Sequence, residues 1–462
     1  MKSITNIKIS TWDLVVIGGG PAGMMAAGRA AEVAKSAGRE AKILLLEKND
    51  ILGKKLLITG GGRCNVTNAE FDDRALLAKF KDSAKFLFSA FSQHSVRESL
   101  AFLNDMGMPT KVENEKRVFP VSDSAKSVWE VLLRYLGDGG VRIKSNSEVV
   151  GFIQAIRSSK PVSSSVGELA KDNQVEIEAV KLRSGEIIKA RSFILATGGK
   201  SHPETGSTGE SFQWLKKLGH NISEPTASLV PIKVSDPWVK KLSGFSLPDA
   251  KLTLFQNGVK QTDSNTGRPS VRKGKILFTH VGLSGPSILN MSSEIGELLK
   301  YGDVVLSLDL LPEHDYATLN SALVNLFGEQ SNKKFKNALG KLIPSSLVSA
   351  VVEKSNINPD TFCNSVTREE RLLLVKVLKD MHIHPTSLLG TDKAIITSGG
   401  VALEEIDWKT MKSRLVPNLQ IIGDLLDIER PSGGYSLQLC WTTGWVAGNA
   451  IFTNSDTNGK TP

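Results

Sequence analysis

Cysteine is scarce in this chain of 462 residues. There are three, Cys64, Cys363 and Cys440, with no CxxC pair among them, so neither a disulfide framework nor a structural zinc site is expected. The seven histidines are dispersed; His382 and His384 share one face of a strand but have no third ligand nearby, and no metal is predicted. Long apolar runs are missing too. Nothing approaches the roughly 20 residues that a membrane helix needs, and residues 1–11 carry scattered lysines without the apolar core of a secretory signal. No membrane partner and a cytoplasmic location are therefore expected. No repeat of fixed period occurs.

What is present is ordinary for a folded protein: 40% hydrophobic and 23% charged residues, on a length that suggests two or three domains. The formal net charge is +9, a sign that suits nucleic acid, membrane or a polyanionic cofactor. The basic residues are spread out, with short clusters at Lys54–Lys55 and Lys333–Lys334. They read as solvated surface, and a nucleic-acid role stands as the alternative.

Leu14–Val15–Val16–Ile17 reads as a buried parallel strand. Gly18–Gly19–Gly20–Pro21–Ala22–Gly23 follows at once, then an Ala-rich helical stretch, then a second apolar run from Ile43 to Leu46 that ends at Glu47. Residues 70–136 carry helical periodicity. Strands return from Val141 to Ile156, a polar Ser-rich insertion covers 158–173, and a hairpin turns at Ser184–Gly185. Phe193–Ala196 is another buried strand, closed by Thr197–Gly198–Gly199. Short strands separated by turns fill 225–311, helical periodicity fills 312–381, and Leu419–Ile422 is the last clear strand. The fold class is thus α/β, a discontinuous Rossmann-type domain with a small β-barrel-like domain inserted and a helical insert within that. The expected boundaries are 1–200 and 395–455 for the Rossmann part, 201–311 and 382–394 for the β part, 312–381 for the helical part, and 456–462 for a disordered tail.

The strand–glycine–helix order carries a chemistry. Gly18 permits the turn out of the strand, Gly20 lets backbone approach a pyrophosphate, and Gly23 lets the helix pack closely on the sheet. The helix N-terminus meets the phosphate charge with unpaired N–H groups. Glu47 is placed to accept hydrogen bonds from a ribose, with Lys48 beside it. A second glycine-rich run follows, Gly53–Lys54–Lys55–Leu56–Leu57–Ile58–Thr59–Gly60–Gly61–Gly62–Arg63–Cys64–Asn65–Val66–Thr67–Asn68. Three successive glycines expose bare backbone to a flat ligand or phosphate.

That run resembles the GKKLLxSGGGRCNxTN signature of the BaiN-like or aminoacetone-oxidase-like FAD-binding proteins. Ala196–Thr197–Gly198–Gly199 through Leu229–Val230–Pro231 is similar to a second block of that family, and Phe278–Thr279–His280 through Gly285–Pro286 to a third. Thr397–Ser398–Gly399–Gly400–Val401, Gly423–Asp424 and Gly433–Gly434–Tyr435–Ser436–Leu437–Gln438 are similar to its last. The resemblance implies FAD as the cofactor. Gly18, Gly20, Pro21, Ala22 and Gly23 would line the pyrophosphate, and Glu47 and Lys48 the adenosine ribose. Gly60, Gly61, Gly62, Arg63, Cys64 and Asn65 would run beside the pyrophosphate and flavin, with Val149 or Val150 at the adenine. Asp424 would meet the ribityl chain or the pyrophosphate, and Thr197, Gly198 and Gly423 would also contact the cofactor, while Gly434, Ser436, Leu437 and Gln438 would place a helix N-terminus near the ring. There the helix dipole favours the negative charge of reduced flavin. Three departures stand out: Ser211 where that family usually has Gly, Ser436 where it has Asn, and Ile428–Glu429–Arg430–Pro431 in a stretch that often carries Asp and Gly.

His280, ending a strand before a glycine-rich turn, is the candidate acid/base, the alternative being a turn histidine. The inserted part is expected to present it to the substrate. Tyr435 is a second proton donor to weigh against a stacked structural role, and Arg63 a binder of anionic substrate or of phosphate. Cys64 has no partner for thiol–disulfide chemistry. Cys440, Trp441 and Trp445, at helical spacing, read as core. The expected activity is that of a flavin-dependent oxidoreductase on a small or steroid-like organic substrate; the alternative is a flavoprotein that binds or modifies RNA. With one dinucleotide fingerprint, NAD(P)H would bind only transiently. The oligomeric state is left open by the sequence.

Overall fold

β1 (Trp12–Ile17) and β2 (Ile43–Leu46) are β-branched and aliphatic runs, buried along most of their length, as parallel strands usually are. They pair in parallel register, Leu14 to Ile17 beside Ile43 to Leu46, and α1 (Pro21–Ser36) connects them. The structure is a computed structural model that describes residues 11–158, 173–262 and 269–453. The Ser-rich insertion falls largely, and the expected tail at 456–462 wholly, outside the described residues. The chain divides into two compact units, one of residues 1–227 and 395–462, the other of residues 228–394.

In the first unit a nine-stranded sheet has the order Ile406–Asp407, Lys412–Ser413, Leu419–Ile421, Ile187–Leu195, β1, β2, Arg142–Lys144. Its centre, from Leu419–Ile421 to Arg142–Lys144, is parallel. The strands Val149–Ser158 and Asn173–Leu182 join it as an antiparallel arm, with the hairpin turn at Gly185. Residues 70–136 are not helical throughout, as the periodicity predicts. Three strands of two to four residues, Thr67–Asn68, Thr110–Val112 and Arg117–Pro120, form a small antiparallel sheet between the helices; runs so short show no period. Residues 201–227, expected in the β part, fold with the first unit. The helix Glu210–Lys217 buries Phe212 and Leu215 in its core, and Ile222–Ser228 pairs with Ile396–Val401.

The C-terminal helix Tyr435–Ile451 lies against α1. A Cβ on Gly444 would stand 2.5 Å from the Ala22 carbonyl oxygen, and one on Gly448 2.3 Å from that of Ala26. Only glycine allows backbones so close. Arg29 of α1 hydrogen-bonds Asn449 at 3.1 and 2.8 Å and sits 4.4 Å from the centre of the Trp445 ring. His94 stacks on the same indole at 5.2 Å.

The second unit holds an eight-stranded sheet whose main path runs from Met381–Ile383 to Pro385–Leu388. Those two strands are separated only by His384, so the hydrogen-bonded path nearly returns on itself. The sequence reading of 225–311 as strands alone misses the helix Pro286–Leu298, which packs Ile288, Met291 and Ile295 into the same core. The helices of 316–379 share that core as well, through Leu319, Leu323, Leu347, Leu374 and Leu378. No helix among the described residues is long and apolar enough to cross a membrane.

His94 links this packing to pH. Its ring is buried and Nε2 has no hydrogen-bond partner. Burial, helped by the Arg29 charge, pushes its pKa down to about 3. The unfolded chain protonates this residue near pH 6.5, so below that pH the unfolded state binds more protons and stability falls with pH. His94 alone should cost about 2 kcal/mol between neutrality and about pH 5. Urea titrations of wild type and His94→Leu at both values should show a shallower pH dependence in the variant; equal slopes would remove His94 as the cause.

Candidate functional site

A cleft of the first unit opens where β1 ends. Gly18 has φ +105°, and a Cβ there would lie 2.5 Å from the Ala196 carbonyl oxygen, so the turn needs glycine. Gly20 caps α1 without a side-chain bond, and a Cβ there meets nothing within 4 Å. At Gly23 a Cβ would stand 2.0 Å from the Gly18 oxygen. The glycines therefore serve different ends: Gly18 and Gly23 let the chain fold on itself, whereas Gly20 keeps space open in front of the unpaired N–H groups of α1.

β2 delivers Glu47 to one end of the cleft. Its carboxylate accepts from the Gly19 N–H at 2.9 Å, and from the backbone and side-chain nitrogens of Asn49 at 2.8 and 2.7 Å. It is fixed in orientation with acceptor capacity left over. Lys48 Nζ bonds Thr208 and Glu210, both at 2.9 Å, and Asn49 Nδ2 donates to the Thr205 carbonyl at 3.0 Å. Val149 lines the cleft and Val150 does not; alternation along the strand sends Val150 outward, to the surface. At the far end stand Lys55, Thr59, Gly423, Asp424, Ser436, Leu437 and Cys440. Asp424 is ion-paired with Arg430 and, at 3.6 Å, with Lys55. Burial raises its pKa, but those two cations outweigh it and hold the carboxyl below its usual range.

Thr197 and Gly198 line the middle of the cleft, and the Thr197 hydroxyl bonds that of Ser211 at 2.5 Å, which gives the serine at that position a role that glycine lacks. The whole space holds about 1270 Å³, part of it open to solvent. A cleft lined by a fixed carboxylate, a bare helix N-terminus and the first turn of a second helix fits a flavin dinucleotide.

Several expected contacts lie elsewhere. Gly60, Gly61 and Gly62, with φ of 57°, 68° and 84°, are exposed and do not line the cleft. Arg63 is held by Glu113 and Asp123 and sits 4.2 Å from the centre of the Phe119 ring; those two carboxylates raise its pKa further, and its charge is already matched. Cys64 is fully buried, which pushes its thiol up to about 12. Asn65 accepts from the Val118 N–H at 3.2 Å. Tyr435 packs edge-on to Phe80 at 6.0 Å, and burial, with the Glu70 charge adding, pushes its hydroxyl up to about 12. Gln438 is spent on Thr67, Ser99 and Thr442. Gly434 is required because a Cβ would stand 2.3 Å from the Thr67 backbone. Gly434, Tyr435 and Gln438 thus hold the chain on either side of Ser436 and Leu437, which do line the cleft.

His280 belongs to the second unit, exposed in the turn between Val271–Phe278 and Gly282–Ser284. Thr279 makes the bonds that close this turn, and His280 has no hydrogen-bond partner among the described residues. Sequence reasoning missed Asn49, Lys55, Ser147, Trp214 and the 205–210 segment, all of which line the cleft. The only signal for Lys55 was its place in the glycine-rich run. Cys440, read as core, also reaches the cleft.

Gly20→Val places a branched side chain in open space at the helix N-terminus, so the fold should survive and FAD should be lost. Gly23→Val should instead damage the fold. Flavin absorbance and far-UV circular dichroism of both purified variants check this; full flavin occupancy in Gly20→Val would mean that the cofactor does not use this loop.

Residues 12–450 match the family described as HI0933-like protein Rossmann domain. The ribosomal RNA dihydrouridine synthase of Escherichia coli is 28% identical over 440 residues, 94% of this chain and 96% of that protein. The 3-dehydro-bile acid delta(4,6)-reductase of Clostridium scindens is also 28% identical, over 436 residues, 94% of this chain and 98% of that one. Among solved structures, 3-ketosteroid delta1-dehydrogenase from Sterolibacterium denitrificans shares the fold at a TM-score of 0.50 and 12% identity, covering 96% of this chain and 99% of that one. The chain belongs to the HI0933-like protein Rossmann domain family and is an FAD-dependent oxidoreductase.

Proposed function

We propose that this enzyme adds two hydrogens across a carbon–carbon double bond conjugated to a carbonyl, on a small or steroid-like organic substrate, with electrons from transiently bound NAD(P)H. The observation that carries this reading is that the cleft has one fixed ribose carboxylate and one Rossmann loop, which suits a single dinucleotide. The nicotinamide donor then binds and leaves, and the substrate follows. A dihydrouridine and a delta(4,6)-reduced bile acid, the products that the two relatives' names describe, both arise by saturating such a bond. Bound FAD supplies the hydride relay. The protein's share is to orient the acceptor and to deliver one proton to the carbon or oxygen where negative charge collects. His280 is proposed for that proton: it is an exposed imidazole left free by its own turn, and an imidazole can hold and deliver a proton.

Anaerobic mixing with NADPH should bleach the flavin, and an α,β-unsaturated ketosteroid should restore its colour. His280→Asn should keep FAD and slow the recolouring step by a factor of about 10² or more, while bleaching changes far less. Equal slowing of both steps would assign His280 to scaffolding. The net charge of +9 and the name of the Escherichia coli relative favour a second substrate class, RNA. Recolouring by unmodified ribosomal RNA and not by any enone would select it.

A further inference from the structure

Arg430 lies in the stretch Ile428–Pro431 that departs from the pattern of the similar family, and it is 2% exposed. All three of its nitrogens are engaged: Nε donates to Ser436 Oγ at 3.0 Å, Nη1 to the Ile428 carbonyl at 2.8 Å, and Nη2 to Asp424 Oδ1. Asp424 and Ser436 line the cleft; Arg430 stands behind them. The other oxygen of Asp424 faces Lys55 at 3.6 Å. Nearby groups do not cancel this arrangement. Glu429 is paired with Lys81 at 2.6 Å, and burial keeps the Cys440 thiol protonated by pushing it up to about 12. Two cations thus flank one carboxylate, leaving a net positive charge, and the N-terminus of the C-terminal helix adds to it.

Glu47 marks the ribose end of the cleft, so this opposite end is where the ring of a bound FAD belongs. Two-electron reduction of that ring with uptake of one proton adds one negative charge. We propose that Arg430 is a positioning residue for the redox step. Acting through Asp424, it turns a cleft wall that would otherwise be neutral, Lys55 against Asp424, into one with a net positive charge that favours the reduced, anionic cofactor. It does not touch substrate, and its effect is electrostatic. The proposal rests on the reading of this end of the cleft as the flavin end.

The test is the midpoint potential of the FAD-loaded protein, measured by slow reduction against reference dyes. Arg430→Gln should shift the reduced-to-oxidised equilibrium at least tenfold towards oxidised, about 30 mV for a two-electron couple. Arg430→Lys, which keeps the charge, should stay close to wild type, and Asp424→Asn should shift the equilibrium in the opposite direction. If Arg430→Gln does not retain flavin, the sign of the Asp424→Asn shift decides: towards reduced supports the proposal, no shift or the reverse overturns it. Equal shifts in Arg430→Gln and Arg430→Lys would also overturn it, since geometry and not charge would then be responsible. If Lys55→Met and Asp424→Asn move the potential and Arg430→Gln does not, only this inference fails. If no variant moves it, the ring lies elsewhere and the reading of the cleft fails with it.

Discussion

The close approach of two helices is the constraint on which the first unit depends. α1 follows the first strand and the Tyr435–Ile451 helix ends the described chain, yet Gly444 and Gly448 let their backbones meet at Ala22 and Ala26. The contacts advance together along both helices, so the two run parallel and their N-termini come to the same end. Each terminus carries roughly half a positive elementary charge. A side chain larger than glycine at 444 or 448 would separate the helices and carry Ser436 and Leu437 away from Gly18–Ala22. The cleft is thus a consequence of packing some way from it, and the Arg29–Trp445–His94 stack reinforces the same seam.

Two parallel helix ends and the lysines at 48 and 55 make the cleft attractive to a pyrophosphate, but they do not by themselves orient a dinucleotide. Orientation comes from the two carboxylates. Glu47 is held by neutral N–H donors, so its negative charge stays available to hydroxyl groups. Asp424 is held by cations, so its charge is neutralised and the wall around it is positive. The same functional group therefore makes two chemically different ends. The difference lies in what stands behind each carboxylate, which a motif pattern does not record.

The sequence was informative where one local segment carries both structure and chemistry. β1, the glycine turn, α1 and β2 with Glu47 could be read because periodicity, turn residues and the acid follow one another within a single βαβ unit. It was uninformative where the partner is remote. Asn49 and Lys48 are fixed by the 205–210 segment, and Lys55 reaches Ser201, pairings that no local pattern encodes. Arg63 shows the converse. Its place after three glycines suggests a ligand contact, but Glu113 and Asp123 arrive from the short sheet that the helical reading of 70–136 overlooked. The Pro286–Leu298 helix was lost among strands because turn residues flank it, Gly282 and Gly285 before it and Gly302 after it.

Histidine chemistry separates in the same way. Ser413, His220 and Glu405 have the connectivity of a hydrolase triad: His220 Nδ1 is 2.6 Å from Glu405 Oε2, and its Nε2 is 2.9 Å from Ser413 Oγ. Yet Ser413 is buried and its oxygen also accepts from the N–H groups of Leu415 and Val416, at 3.1 and 2.9 Å. With one proton to give and two acceptor sites, that hydroxyl is already saturated. It has no lone pair for a substrate carbon, so the arrangement is a tie between the strand Lys412–Ser413 and the end of the Glu210–Lys217 helix. His202, His382 and His384 likewise each lie within 3.1 Å of a carboxylate. A group serves a reaction only with valence to spare, and by that criterion the hydrogen-bonded ring of His220 is excluded, whereas the exposed imidazole of His280 is bonded to nothing among the described residues.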